Sequence, residues 1–410
     1  MRKNICYNTK YSVYDWSTIT MEYVFSDRVS GMKPSAIREI FKSLTDKSII
    51  SFAAGNPSPL SFPVEKMHQI ANDIFENKAA FALQYGITEG YPRLREQVEE
   101  RLHEKFRTGT ADDETIITTG GQQGIDLTAK VLLNEGDTVI CENPSFIGAL
   151  NAFRSYNAHL VGVDLEPDGM NIEALEAALK ANPNTKLIYI IPTFQNPAGI
   201  TTSPEKRRAV LALAEKYNAV ILEDNPYGEL RFAGADVPTL KSLDTNGRVV
   251  YCSSFSKILS AGMRIGFLCG PKELIQKVVV VKQVNDVHTN LFFQILASEF
   301  IERYGLDSHI KSICDLYRGK CGLMLSELDK HIAGKAVFTR PEGGLFIWVT
   351  VKGGNGDEIA KRAIANKVAV VTGSSFNPVQ GGFSDSVRLN YSTPSDEEIV
   401  EGIKRLAAVL

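Results

Sequence analysis

Long apolar runs are missing from this 410-residue chain. Nothing in it approaches the roughly 20 consecutive apolar residues of a membrane span. The opening stretch also lacks the apolar core of a secretory signal, so a cytoplasmic protein with no membrane partner is expected. Cysteine is sparse: Cys6, Cys141, Cys252, Cys269, Cys314 and Cys321 are scattered and never form a Cys-x-x-Cys pair. That argues against a disulfide framework and against a thiolate metal site. Cys141, Cys252 and Cys269 fall in apolar runs and read as small buried hydrophobes. The six histidines have no metal-ligand spacing either, and no metal is expected. Neither sign of charge prevails, since 45 basic against 48 acidic residues leave a net charge of −3. With no basic excess and no like-charge tract, nucleic acid is not an expected partner. What remains has the composition of a soluble globular protein, long enough for two domains.

Seven strand-like runs lie at 114–118, 138–141, 159–163, 186–191, 219–222, 248–252 and 265–268, with helical patterns between most of them. Helices are expected at 122–133, at 171–181, and from Pro204 to 217 behind Ser203 as N-cap. Several strands are apolar throughout, as when helices cover both faces of a sheet. The pattern predicts an α/β domain with a mainly parallel sheet of seven strands sandwiched by helices. Beyond about residue 290 the character changes. Long helices at 292–304 and 310–328 lead into strands at 344–349, 368–371 and 386–390 and a last helix at 395–410. This predicts a smaller α+β domain formed by 27–60 and 291–410, a large domain at 61–290, and an N-terminal arm at 1–26. The arm is polar and aromatic without periodicity, and is expected to pack on a neighbour or stay mobile.

The densest chemistry is Ser253-Ser254-Phe255-Ser256-Lys257, with Arg264 following in Gly262-Met263-Arg264-Ile265-Gly266. A lysine kept in a pocket beside another cation has a lowered pKa and suits Schiff-base chemistry; a solvated surface lysine is the plain alternative. Thr118-Thr119-Gly120-Gly121-Gln122-Gln123 ends a strand and opens a helix. Glycines there let backbone N–H groups approach a phosphate, or simply serve a tight turn. Asp224, in Glu223-Asp224-Asn225-Pro226-Tyr227, ends a buried strand. It is either an exposed loop acid or the partner of a pyridinium nitrogen, the pairing that makes pyridoxal phosphate an electron sink. Tyr227 and Asn196 (in Gln195-Asn196-Pro197-Ala198-Gly199) are placed to bond that cofactor's phenolate oxygen, although Asn-Pro is also ordinary turn punctuation. Phe146 offers a face for ring stacking or is a core residue. Arg388 sits in an apolar strand and needs an anion, either a substrate carboxylate or an internal acid.

These residues occur in order with Gly55-Asn56-Pro57, Gln84-Tyr85-Gly86, Thr88-Glu89-Gly90-Tyr91-Pro92-Arg93-Leu94-Arg95, Gly120-Gly121-Gln122-Gln123, Ser254-Phe255-Ser256-Lys257, Arg264-Ile265-Gly266, Pro341-Glu342-Gly343-Gly344 and Val387-Arg388-Leu389. From about Asp27 to its end the chain resembles the fold-type I aminotransferases of class I/II that use pyridoxal 5′-phosphate. Within them it is most similar to the branch of 2-aminoadipate, kynurenine and aromatic aminotransferases. The resemblance implies Lys257 as the Schiff-base lysine and proton carrier, Asp224 on the ring nitrogen, and Asn196 and Tyr227 on the phenolate oxygen. It implies Phe146 in the stacking position, more often tyrosine in this branch. It implies Gly120, Gly121, Gln122, Ser254, Ser256 and Arg264 around the phosphate, with Gly121 where a serine is frequent. Tyr85 would reach the phosphate of a second subunit, which implies a homodimer with composite sites. Arg388, Asn196 and the backbone near Gly55 would grip the substrate carboxylate.

The implied activity moves the amino group of an L-amino acid, aromatic, aliphatic or 2-aminoadipate-like, to a 2-oxo acid such as 2-oxoglutarate, with ping-pong kinetics. A β-lyase or decarboxylase on the same fold is the alternative, because the cofactor grip does not decide which Cα bond breaks. A regulatory sensor would need a DNA-binding module ahead of the family core, where only some 25 residues stand. Some members of the branch read a distal carboxylate with an arginine near the N-terminus. Here Gly31 occupies that place in the most natural register, with Arg28 and Lys33 as substitutes, which weakens a 2-aminoadipate assignment.

Overall fold

A computed structural model describes residues 23–30, 32, 46 and 48–410, so the expected N-terminal arm lies almost wholly outside the described residues. The strands are β1 Ile50–Ser51, β2 Asp113–Thr118, β3 Thr138–Asn143, β4 His159–Glu166, β5 Gly169–Met170, β6 Thr185–Ile190, β7 Val220–Asp224, β8 Val249–Ser254, β9 Gly266–Pro271, β10 Val337–Phe338, β11 Phe346–Thr350, β12 Val368–Ala369, β13 Val371–Thr372 and β14 Ser386–Asn390. β2 to β9 form one sheet in the order β2-β9-β8-β7-β6-β3-β4-β5. β3, β4, β6, β7 and β8 run parallel, and β9 enters antiparallel between β8 and β2. The expected seven strands are all present, but the count of seven is corrected to eight. The two-residue β5 turns back on the edge of β4 and is too short to carry any periodicity.

Alternation along each strand divides the side chains between two cores. Val139, Cys141, Leu187, Tyr189, Leu222 and Cys252 share one cluster, with helix Gly120–Leu132 packed on β8 and β9. Ile140, Val163, Ile188, Ile190 and Ile221 share the other, under helices Ile172–Ala181 and Pro204–Lys216. Both faces are covered, which explains the continuous apolar runs. Helix starts follow local chemistry: Ser203 accepts from Lys206 N, Asn171 from Ala174 N, and Ser395 with Glu398 closes a capping box at Asp396–Ala407.

A second sheet, β10-β11-β14-β13, is antiparallel, while β1 pairs in parallel with β12. The run at 368–371, expected as one strand, is two. Val368–Ala369 pairs with β1 and Val371–Thr372 with β14, so the chain changes sheets at Val370. The β1 pairing lays the extended residues after Ser51 along β14, where Asn390 N donates to Phe52 O at 2.8 Å. Helix Leu291–Tyr304 packs on helices Val64–Asn77 and Pro92–Phe106, and helix Asp307–His331 packs on Asp396–Ala407. Among the described residues no helix is long and apolar enough to cross a membrane.

Candidate active site

The C-terminal ends of β2, β3, β6, β7 and β8 lead directly into the segments bearing Gly120, Phe146, Asn196, Tyr227 and Lys257, the edge where parallel sheets place ligands. Lys257 is partly buried in the turn after β8, and its Nζ donates to the carbonyl of Gly55 at 2.8 Å. Burial, then the charges of Arg388 and Arg264, lower its pKa to about 8. Its amine is thus far more available near neutral pH than that of an exposed lysine. The Gly55 carbonyl holds the amine, which leaves its backbone N–H as the group a carboxylate could use.

Arg388 lies in β14, only 2% exposed. Nη1 donates to Asn196 Oδ1 at 2.9 Å and Nη2 to Ala53 O at 2.8 Å. The guanidinium lies 4.2 Å from the Phe346 ring centre and 5.0 Å from that of Phe376. No acid among the described residues acts on it, burial pulls its pKa down to about 10, and Nε has no hydrogen-bond partner. The internal salt bridge is therefore absent among the described residues. A desolvated cation of this kind is completed by an anion from outside the chain.

Asp224 closes β7 and is buried. Burial raises its pKa to about 7, although the Tyr189 hydroxyl, donating to Oδ2 at 2.7 Å, favours the ionised form. No cation among the described residues acts on it. Tyr227 is also buried. Desolvation pushes its phenol well above the usual range, while Arg388 and Asn196 beside the hydroxyl favour ionisation. Phe146 is half-buried ahead of helix Ile147–Arg154, its ring lying over Gly148, where a Cβ would come within 2.4 Å of Cζ.

At the other end, Gly120 takes φ +72° and opens helix Gly120–Leu132. A Cβ on Gly120 would sit 2.3 Å from Arg264 Nη2, and one on Gly266 would sit 2.6 Å from the Gly120 carbonyl carbon. Glycine is needed at both positions for the backbones to approach. Ser254 Oγ accepts from Ser256 N at 2.9 Å, and Arg264 reaches only Ser256 Oγ and the carbonyls of Ala261 and Thr119, at 3.3–3.5 Å. Gln122 sends its side chain to Gly148 O, so it offers its backbone N–H here. A helix N-terminus, two hydroxyls and an arginine with no acid partner among the described residues make an anion cradle.

Tyr85 is not part of this set. It is 81% exposed, edge-on to His288 with ring centres 5.7 Å apart. Arg28 is exposed on the short helix Asp27–Ser30 and acts on Tyr156; Gly31 and Lys33 lie outside the described residues. Several contributors carried no recognisable local signal. Tyr189 reaches Asp224 because register sets it beside Leu222. Phe346 and Phe376 enclose Arg388 from other strands and turns. Below the cradle, Thr119 Oγ1 and Gln123 Nε2 donate to Asp286 Oδ2 at 2.8 and 2.7 Å, and Asp286 pairs with the fully buried Lys282.

The sequence model of the family described as aminotransferase class I and II matches residues 47–406. The chain belongs to that family. It is 39% identical over 398 residues to the aromatic-amino-acid aminotransferase 1 of Thermococcus litoralis, covering 96% of this chain and 95% of that one. It is 37% identical to the 2-aminoadipate transaminase of Thermus thermophilus, covering 94% and 96%. The solved kynurenine aminotransferase of Pyrococcus horikoshii, in complex with PMP, superposes with a TM-score of 0.90 at 39% identity, covering 94% of this chain and 96% of that one. This aminotransferase moves amino groups and uses pyridoxal phosphate. The side chains on hand suit that cofactor: a low-pKa amine for its aldehyde, a buried acid without a cation for its basic ring nitrogen, and a cradle for its phosphate that a Cβ at Gly120 would fill.

In this aminotransferase Gly266→Ala is expected to weaken pyridoxal phosphate binding about tenfold or more, the scale of overpacking strain on a backbone that cannot retreat. Absorbance titration of cofactor-free protein measures it; unchanged affinity would mean the loop at Gly120 is free to move.

Proposed function

We propose that this aminotransferase takes an α-L-amino acid of aromatic, aliphatic or 2-aminoadipate-like type and passes its amino group to a 2-oxo acid, 2-oxoglutarate. One observation carries this reading. Lys257 Nζ and Arg388 Nη2 are held by the carbonyls of Gly55 and Ala53. Those carbonyls lie two residues apart on one extended segment, a span of at most about 7 Å. A carboxylate on Arg388 would therefore present its own α-carbon and amino group at Lys257, which is the anatomy of an α-amino acid.

In this reading Lys257 would hold the cofactor through its aldehyde, and its amine, when free, would carry the proton from the donor's Cα as general base and return it as general acid. Asp224, oriented by Tyr189, holds the ring nitrogen's proton. Bound there, pyridoxal phosphate supplies an electron sink for the bond-breaking step. Asn196 and Tyr227 bond its phenolate oxygen and Phe146 stacks on its ring. Gly120, Gly121, Gln122, Ser254, Ser256 and Arg264 hold its phosphate. Arg388 and Asn196 hold the donor's carboxylate.

The donor range is supported by the names of the relatives. The decisive experiment is a screen of amino donors with 2-oxoglutarate, read as glutamate formed. No glutamate from any donor would exclude this acceptor, and pyruvate with ammonia in the absence of a 2-oxo acid would favour the lyase. Arg388→Lys should raise the donor KM about a hundredfold with a smaller change in kcat, because an ammonium cannot reproduce the bidentate, ring-stacked guanidinium. An unchanged KM would remove Arg388 from the carboxylate site.

We also propose a cytoplasmic homodimer. Phe81, Leu83, Tyr85 and Ile87 are half exposed or more, as are Val284 and Val287. Gly86 N donates to His288 Nε2 at 3.3 Å, which joins the two segments into one apolar surface. A second copy covering it would take Tyr85 to its own phosphate cradle. Within each chain, the described residues before 61 and the C-terminal part would form the smaller domain and the segment from 61 the larger one. The packing of helix Leu291–Tyr304 favours drawing the boundary after it, near Gly305, rather than at 291.

A further inference from the structure

Glu142 has no part in the chemistry above, yet it is an acid with 0% exposure at the end of β3. Strand register turns it away from Asp224. Cys141 is opposite Tyr189, and Tyr189 opposite Leu222, so Asp224 shares their face while Glu142 points to the other. Its Oε2 accepts from Ile191 N and from Gln195 Nε2, both at 3.1 Å, and its Oε1 has no partner among the described residues. Burial raises its pKa to about 8, so the neutral acid suits this place.

Gln195 is what gives this contact reach. Its Nε2 also donates to Pro144 O at 2.8 Å, and its Oε1 accepts from Ala198 N at 2.8 Å. One side chain thus ties the turn carrying Phe146 to the turn carrying Asn196, and Glu142 fixes that side chain from beneath the sheet. The amide orientation is determined by its partners, since both acceptors face nitrogen and the one donor faces oxygen. Asn196 is the residue next to Gln195 and accepts from Arg388. We propose that Glu142 is a positioning residue that, acting through Gln195 as a hydrogen-bond acceptor, sets Asn196 against Arg388 and so tunes the grip on the substrate carboxylate. This rests on the assignment of Arg388 and Asn196 to that carboxylate.

The test compares Glu142→Gln, Glu142→Leu and Gln195→Leu as holoenzymes. The probe is 3-phenylpropionate, a carboxylate with no amino group, and its binding is followed through the cofactor's absorbance. Glutamine keeps the acceptor and imitates the neutral acid, so its dissociation constant should stay within about twofold of wild type. Glu142→Leu should weaken the probe about tenfold or more, the scale of a displaced contact to a charged group. Cofactor affinity should fall by less than probe affinity, because the phosphate cradle stands on other strands and keeps its hold while the turns of Phe146 and Asn196 shift. The Glu142→Leu/Gln195→Leu double variant should bind no worse than the weaker single variant if the two act as one unit. Should Glu142→Leu not fold, Gln195→Leu carries the same expectation. Unchanged probe binding in the leucine variants, an equal loss of cofactor affinity, or a Glu142→Gln variant as weak as Glu142→Leu would each overturn the proposal. Failure of the carboxylate assignment itself gives a different pattern: Arg388→Lys then binds the probe as wild type does.

Discussion

Lys257→Ala is expected to abolish amino transfer in this aminotransferase, with a fall in kcat of about ten-thousandfold or more. Two proposed roles would be lost together: the amine for the aldehyde and the group that carries the α-proton. The proton-carrying role alone is worth up to about ten-thousandfold. No described residue is positioned to replace it. Arg388 and Arg264, the charges that act on Lys257, are assigned in this reading to the substrate carboxylate and the cofactor phosphate. Alanine leaves the Gly55 carbonyl facing the space where the amine was, so the fold should persist and the phosphate cradle should still bind cofactor. Turnover of the best donor is the measurement, and partial rescue by a small added amine separates lost chemistry from lost structure. A variant that transfers amino groups at near wild-type rate would refute the assignment.

Asp224→Ala has the next largest expected effect, a fall in kcat of about a hundred- to a thousandfold, the scale of removing one preorganised electrostatic partner. The same variant has a signature in the cofactor-free protein. Asp224 has a pKa of about 7 when folded, against an ordinary 3.8. Between about pH 4 and about pH 7 the unfolded chain therefore releases this proton while the folded chain retains it. Stability carried by the neutral carboxyl is complete below the lower value and is lost as pH rises through the upper one. Wild type should thus lose stability relative to Asp224→Ala as cofactor-free samples are taken from about pH 5 to about pH 8. Glu142 and Glu223 are also raised by burial, so some slope persists in the variant. Parallel melting curves for the two proteins, or an unchanged kcat, would count against a buried, ring-facing Asp224.

Much of the site was legible because it is built from short segments. Each of Gly120, Phe146, Asn196, Asp224 and Lys257 lies within a few residues of a strand's C-terminal end. A parallel α/β sheet gathers such ends whatever their distance in sequence. The strands announced themselves through continuous burial, and the helices through Ser203, Asn171 and Ser395 at their caps. Arg388 stood out as one cation in an apolar strand. The less legible parts have a common cause. β5 and the split at Val370 involve two-residue strands whose pairing is set by their neighbours. Tyr189 looks like any core aromatic until register sets it beside Leu222 and its hydroxyl reaches Asp224. Glu142 and Gln195 read as a strand-end acid and a loop amide until they are seen to share a hydrogen bond at 3.1 Å.

By itself the sequence determined the α/β architecture, the order of the chemical groups along it, and the family to which they point. Those follow from local propensity, from apolar periodicity and from residues whose chemistry is hard to mistake. Only the tertiary structure decided that Lys257 rests on a carbonyl 202 positions away and Arg388 on one 335 positions away. It also decided that those two carbonyls belong to one short segment tied down by β1. Such contacts leave no local trace, because they are made by the burial and backbone pairing of the whole chain and by no property of either residue alone.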